Sequence, residues 1–399
     1  MTDRERYLET IRFGHPDRFP YRFSEPREST LAAWYYQGLK QGVDLTEVMG
    51  YDKWVGAPVD LLPLPRFEEV TLEEFDDKRI WIDELGAKRL DHKNPLTPGF
   101  VTRSWLEFPV KNRKDFEEMK KRYRPDTPGR VPANWDELVA TQRSEIRDYV
   151  LSLTVYGPFW RVRDWVGFEQ LCFLYADDPA FVREMNEFVI DFTIATLDGR
   201  IDDLAVDMVF VSEDMAYKTA SMISPRMVWE FLVPGYRRLL DFLRSKNVAT
   251  VIMDCDGHIS QLIPIWIEVG FDGFWPCEIA AYNDPITYRQ KFGKNIAILG
   301  AIDKRELRFG FEEVRREVLS KAPWLMAQGG YIPGVDHGVP PDVPVRNFLY
   351  MAELLKALAE GRDPEKVNID RYQAILGPIQ EMWTPELAER ITVQSISPV

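Results

Sequence analysis

Asp254 and Asp256 are the pair whose type and spacing most directly suggest chemistry. They close the apolar run VATVIMDC (248–255) and its continuation Asp256-Gly257-His258. Residues two apart in a strand share a face. Both carboxylates then point inward, because two carboxylates against an apolar helix layer are costly to bury. Cys255, between them, turns outward as a packing residue. The alternative for Asp256 is to cap the helix that follows. The chain has only four histidines. His15 and His92 lie in polar, loop-like text, and His258 begins the next helix. His337 differs, because it ends an apolar run in Gly-Val-Asp-His-Gly-Val-Pro-Pro. There it can act as an acid–base group, a ligand donor or a metal ligand, or simply bond its own loop.

Other polar residues end apolar runs in the same way. Glu213 and Asp214 follow VDMVFVS (206–212), with Tyr217 just beyond. Cys277 and Glu278 end FDGFWPCE (271–278), Asp303 follows NIAILGA (295–301), and Asp336 precedes His337. Tyr156 and the stretch Phe159–Trp165, which includes Arg163, follow YVLSLTV (149–155). Aromatic and arginine side chains there suit an aromatic or carboxylate-bearing ligand. They suit equally a helix start packed on the core.

The elements that must position these groups alternate as strand and helix, which argues for a parallel sheet with helices outside. Six strands are clear: 149–155, 206–212, 248–255, 271–278, 295–301 and 329–335. Ser224-Pro225 and Asp284-Pro285 open helices, and a last long helix lies within 343–360. FPYRFSE (19–25) and a short segment at 53–57 complete eight strands, the count that closes a (β/α)₈ TIM barrel. A doubly wound open sheet is the rival. Residues 58–134 interrupt the alternation, and RIWIDELGAKRL reads as a β-hairpin there. The expected organisation is a single barrel domain over 1–399 with an excursion at about 58–134. A parallel barrel carries its site at the strand C-termini, where the residues above fall. No glycine-rich dinucleotide fingerprint and no phosphate-binding P-loop occurs.

Composition narrows the class. The chain has 399 residues, 45% hydrophobic, with a formal net charge of −14. So acidic a chain is a poor partner for nucleic acid or an anionic membrane. No apolar run is long enough to span a bilayer, and the opening MTDRERYLETIRFG reads as neither signal nor transit peptide. Three cysteines are too few for a disulfide framework. The expected location is the cytoplasm.

SEDMAYK (212–218), SPRMVWEFLVPGYRRL (224–239), DCDGHISQLIPIWIEVGFDGFWPCE (254–278), GAIDKREL (300–307) and GGYIPGVDHGVPPDVPVRN (329–347) together resemble the uroporphyrinogen decarboxylase superfamily. The resemblance spans roughly the whole chain and implies a decorated (β/α)₈ barrel. Its decarboxylases remove acetate carboxyl groups from a tetrapyrrole without a cofactor, holding the substrate with an Arg-Gln-Ala-Gly-Arg-Tyr stretch. This sequence has Phe19-Pro20-Tyr21-Arg22-Phe23-Ser24-Glu25-Pro26-Arg27 there, where Arg22 and Arg27 are the available substitutes and Glu25 between them would oppose a polyanion. His337 matches the decarboxylases' active-site histidine. The superfamily's corrinoid-dependent methyltransferases bind zinc with a His-x-Cys pair and a later cysteine. Asp254-x-Asp256 and Asp336/His337 stand at those places. An oxygen–nitrogen set suits Zn²⁺ or another divalent ion, with less thiolate stabilisation.

The reading that results is a methyltransferase moving a methyl group between a small methylated substrate and a corrinoid protein, with or without a metal. Asp254, Asp256 and His337 form the metal or proton-transfer cluster, and Glu278 is an extra ligand or base. Glu213, Asp214 and Tyr217 orient substrate, while Arg22, Tyr156 and Arg163 line the mouth. The alternatives are a cofactor-free decarboxylase of a porphyrinogen or other electron-rich acid, and a barrel that only binds a tetrapyrrole or corrinoid. The sequence is open to a homodimer.

Overall fold

A computed structural model describes residues 1–93, 104–144, 147–384 and 386–387. Among them are eleven strands: β1 (Trp54–Gly56), β2 (Val70–Glu74), β3 (Lys78–Ile82), β4 (Lys88–His92), β5 (Ser104–Glu107), β6 (Val150–Tyr156), β7 (Met208–Ser212), β8 (Thr250–Asp254), β9 (Gly273–Trp275), β10 (Ala297–Ile302) and β11 (Tyr331–Val335). The chain forms two compact units. The central unit comprises Lys53–Asp91 and Arg103–Phe274. The terminal unit comprises Met1–Asp52, His92–Thr102 and Trp275–Val399. Each is described by itself.

In the central unit β1, β6, β7 and β8 pair in parallel, in that order. Valine, isoleucine, leucine and methionine dominate them, as expected for strands covered on both faces. Helices Pro158–Val166, Phe168–Asp177 and Pro179–Leu197 follow β6. After β7, Ser224 caps a helix by accepting from Met227 N at 3.2 Å, with Pro225 at the first helical position. The excursion is larger than a hairpin. The turn at Gly86 joins β3 to β4 as expected, but β2 and β5 extend the pair to a four-stranded antiparallel sheet.

In the terminal unit β10 and β11 pair in parallel. The segment 19–25 is a correction to the expected strand. It runs beside β11, with Val335 N donating to Phe23 O at 3.2 Å, and Pro26 bridges Val339. Pro20 and Pro26 lack an N–H, and Ser24 adopts φ +92°, so no ladder can propagate. Thr30 and Trp34, on the helix Glu28–Tyr36, donate to Val339 O at 2.6 Å and Val343 O at 2.8 Å. The N-terminal segment is thereby stitched to the loop that carries His337. Among the described residues no helix is long and apolar enough to cross a membrane.

Candidate functional site

In the central unit, register decides which side chains share a face. Tyr156 pairs with Ser212, and Ser212 with Asp254, at the C-terminal ends of β6, β7 and β8. Directly opposed residues project to the same side, so these three form one row. Ser212 Oγ donates to Asp254 Oδ2 at 2.7 Å. Tyr156 also lines a cavity of about 340 Å³ with Ser152, Thr154, Asp60 and Arg66. β8 ends at Asp254, so the period of two that linked Asp254 to Asp256 stops before Asp256. Nor does Asp256 cap the next helix, which starts at Ile263, and His258 precedes that helix without entering it. Cys255 is buried, in keeping with the packing role expected of it.

Asp256 belongs to a second group, built by loops. Its backbone N–H donates to Asp214 Oδ1 at 3.2 Å, and Arg163 Nη1 donates to Asp214 O at 2.6 Å. Asp214, Arg163 and Asp256 therefore meet. Tyr217 is 54% exposed, with its ring edge-on to Phe168 at 5.7 Å. Glu213 faces the other way from the row. It is fully buried and accepts from Phe159 N at 3.2 Å, Trp160 N at 2.8 Å and Tyr236 Oη at 2.5 Å. Burial pushes its carboxyl up to about 8, against the lowering effect of those donors. All these hydrogen bonds are internal, so its environment is that of a group anchoring the start of helix Pro158–Val166.

In the terminal unit, His337 Nδ1 lies 2.6 Å from Gly338 N and 3.1 Å from Arg27 Nη2. Its ring is 5.8 Å from that of Trp275, tilted by 31°. Asp336 is fully buried where β10 and β11 end. It accepts from Ile279 N at 2.8 Å, from Lys304 N at 3.1 Å and from Lys304 Nζ at 3.3 Å. Lys304 Nζ also donates to Glu278 Oε1 at 3.2 Å. Burial pushes the Asp336 carboxyl up, and the Lys304 charge opposes that. Arg22 pairs with Glu25 at 3.1 Å and lies over the Tyr51 ring.

The model of the family described as uroporphyrinogen decarboxylase matches residues 102–358, more than half of the chain. The chain belongs to the uroporphyrinogen decarboxylase family. Among solved structures, a methyltransferase from Methanosarcina mazei has a similar fold, with TM-score 0.58 and 15% identity. That match covers 90% of this chain and 99% of the other. Among curated proteins there is no match. The α/β fold is thus the TIM-barrel-like one of the uroporphyrinogen decarboxylase family with an added antiparallel sheet, and the protein is an enzyme of that superfamily.

Within that family fold, sequence reading missed Tyr236 as the partner of Glu213 and Arg27 as that of His337, and two further partners that do carry a local signal. Ser212 stands at the last position of β7, and its signal was register with Asp254. Lys304 directly follows Asp303 in GAIDKREL, where a lysine just past a buried strand is itself conspicuous. Among the described residues, no group of three or more His, Cys, Asp or Glu is placed to hold a metal ion. Asp254 and Asp256 lie in the central unit and His337 in the terminal unit, and no chemical step below runs through a metal held by the three.

Proposed function

We propose that this enzyme is a methyltransferase that moves a methyl group between a small methylated substrate and a corrinoid carried by a partner protein. The observation that carries the reading is the state of the N-terminal arginines. Arg22 pairs with Glu25, Arg27 contacts His337, and Arg18 pairs with Asp52 at 2.6 Å. A substrate with many carboxylates needs cations that face it, and these already face groups of the protein. A small methyl donor makes no such demand. The fold shared with a methyltransferase is compatible with the reading.

A corrinoid held by the partner protein would supply the nucleophile that takes up the methyl group. Cleavage of a methyl–oxygen or methyl–nitrogen bond leaves an electron pair on the heteroatom. A hydrogen-bond donor aimed at that atom lowers the barrier, and in the terminal unit we assign that role to His337. In the central unit, taken by itself, Asp254 is the row's candidate contact for a polar substrate group, and Ser212 orients it.

The test mixes the enzyme with cob(I)alamin and a panel of methoxylated and N-methylated small molecules, under anaerobic conditions. Loss of the cob(I)alamin absorbance with growth of methylcobalamin is expected for one substrate class. Release of CO₂ from uroporphyrinogen with formation of coproporphyrinogen would establish the decarboxylase instead. Tight cobalamin binding with neither reaction would leave a binding barrel.

A further inference from the structure

We infer that Arg27 is a positioning residue that commits His337 to one tautomer, with its proton on Nε2. The argument is one of donors and acceptors. A backbone N–H can only donate, and so can a guanidinium. Both approach the same ring nitrogen, Gly338 N at 2.6 Å and Arg27 Nη2 at 3.1 Å from Nδ1. Nδ1 must therefore accept from each, which leaves no place for a proton on it. The neutral ring then carries its proton on Nε2. His337 acts as a hydrogen-bond donor through Nε2, a role in which a neutral imidazole stabilises negative charge developing on a substrate atom.

The surroundings are built for this contact. Arg27 stands just before the helix Glu28–Tyr36. Its neighbour Pro26 bridges Val339, two residues beyond His337, and Val339 N donates to Glu25 O at 3.4 Å. Arg27 is thus carried on a segment pinned to the histidine's own loop. Gly338 leaves room for it, because a Cβ at that position would lie 3.0 Å from Arg27 Nε. Trp275, 5.8 Å from the imidazole centroid, limits rotation of the ring from another side. A side chain at 338 or a shorter residue at 27 would each loosen the same lock.

The tautomer assignment stands apart from the methyl-transfer reading; only its kinetic consequence rests on that reading. The experiment uses full-length protein with ¹⁵N-labelled histidine, in which His337 is assigned by its loss in His337→Asn. Four histidines make the two-bond ¹H–¹⁵N spectrum tractable. The expected wild-type pattern is a bare, hydrogen-bonded Nδ1 and a protonated Nε2. Arg27→Met should move the Nδ1 resonance toward the position of a nitrogen without a charged donor, with a Nδ1-protonated population appearing. Arg27→Lys, which keeps a cationic donor, should restore most of the wild-type pattern. Gly338→Ala is the second probe, since it displaces the guanidinium while leaving Arg27 in the sequence. In the methyl-transfer assay, kcat should fall on the order of ten-fold in Arg27→Met with KM little changed. A wild-type spectrum with the proton on Nδ1 overturns the inference, as does an Nδ1 resonance that neither variant moves. Failure of the methyl-transfer assay alone, with the spectra as expected, would count against the proposed activity and leave the tautomer lock standing.

Discussion

Glu213 and Tyr236 lie fully buried with 2.5 Å between a carboxylate oxygen and the phenol oxygen. Burial pushes the phenol further above its ordinary range, so Tyr236 keeps its proton and donates it. The same carboxylate takes the first two free N–H groups of helix Pro158–Val166, where the helix dipole favours negative charge. Desolvation outweighs these favourable contacts and pushes the Glu213 carboxyl up to about 8 from its ordinary 4.5.

A pH dependence of stability follows. The folded state holds the Glu213 proton more tightly than the unfolded state. The resulting stabilisation is complete below about 4.5 and is lost as pH rises through 8. Its full size is on the order of 5 kcal/mol at about 1.4 kcal/mol per pH unit. Glu213→Gln removes the titrating group and keeps the shape. Denaturant curves at pH 5 and pH 8.5 should show wild type losing stability relative to Glu213→Gln by several kcal/mol across that interval. Parallel pH profiles for the two proteins would rule the assignment out.

Gly157 makes the Glu213 arrangement possible. A Cβ there would sit 2.2 Å from the Glu213 carboxyl carbon and 2.3 and 2.4 Å from its oxygens. Gly157→Ala should therefore destabilise by about 2–4 kcal/mol, in the range of overpacking combined with a broken buried hydrogen-bond network. Gly56→Ala is the control, since its Cβ would meet nothing within 4 Å. Equal melting temperatures for both variants would show that the carboxylate yields at no cost.

Lys304 neutralises a carboxylate that has no other cation beside it in a described ion pair. It bridges the fully buried Asp336 and the partly exposed Glu278. Removing one member of a buried pair leaves an uncompensated charge, typically at a cost of about 3–5 kcal/mol. Lys304→Met should show a loss of that size in chemical denaturation. Adding Asp336→Asn should recover part of it, because the orphaned charge is then gone. Additive losses in the double variant would mean that Lys304 and Asp336 do not act together.

What was legible in the sequence was what periodicity reports. Buried parallel strands read as apolar runs, so 206–212, 248–255 and 329–335 fell within two residues of β7, β8 and β11. The helix starts at Ser224-Pro225 and Asp284-Pro285 were legible because capping is local chemistry. Residues 19–25 misled because alternation of aromatic and polar residues signals an extended chain, while two prolines and a positive φ at Ser24 decide whether a ladder forms. Asp256 misled for a related reason: the period of two holds only while the strand continues. The acid–base partners were the least legible. Arg27 reaches His337 from 310 positions away in sequence, and no local pattern reports a contact of that kind. Glu213 looked like a substrate contact because it ends a strand. Its partner Tyr236, 23 positions on, makes it an internal anchor.

The row Tyr156–Ser212–Asp254 yields the last expectation. Asp254 is partly exposed, and its hydrogen bond from Ser212 Oγ is 2.7 Å long. Ser212 is 6% exposed and can do little to a substrate directly, so its effect must pass through Asp254. A hydrogen bond to a charged acceptor contributes about 1.5–3 kcal/mol when buried, and less when water can replace the donor. Ser212→Ala should therefore cost about 1 kcal/mol of stability and lower methyl transfer on the order of ten-fold by letting the carboxylate swing. Asp254→Asn should abolish turnover with a melting temperature unchanged or raised, since a rim carboxylate set for function is rarely optimal for stability. The double variant should be no slower than Asp254→Asn alone, because Ser212 has nothing left to orient. Kinetics and thermal melts of the three proteins decide the matter. Full activity in Asp254→Asn, or a Ser212→Ala defect that persists undiminished in the Asp254→Asn background, would remove this row from the site.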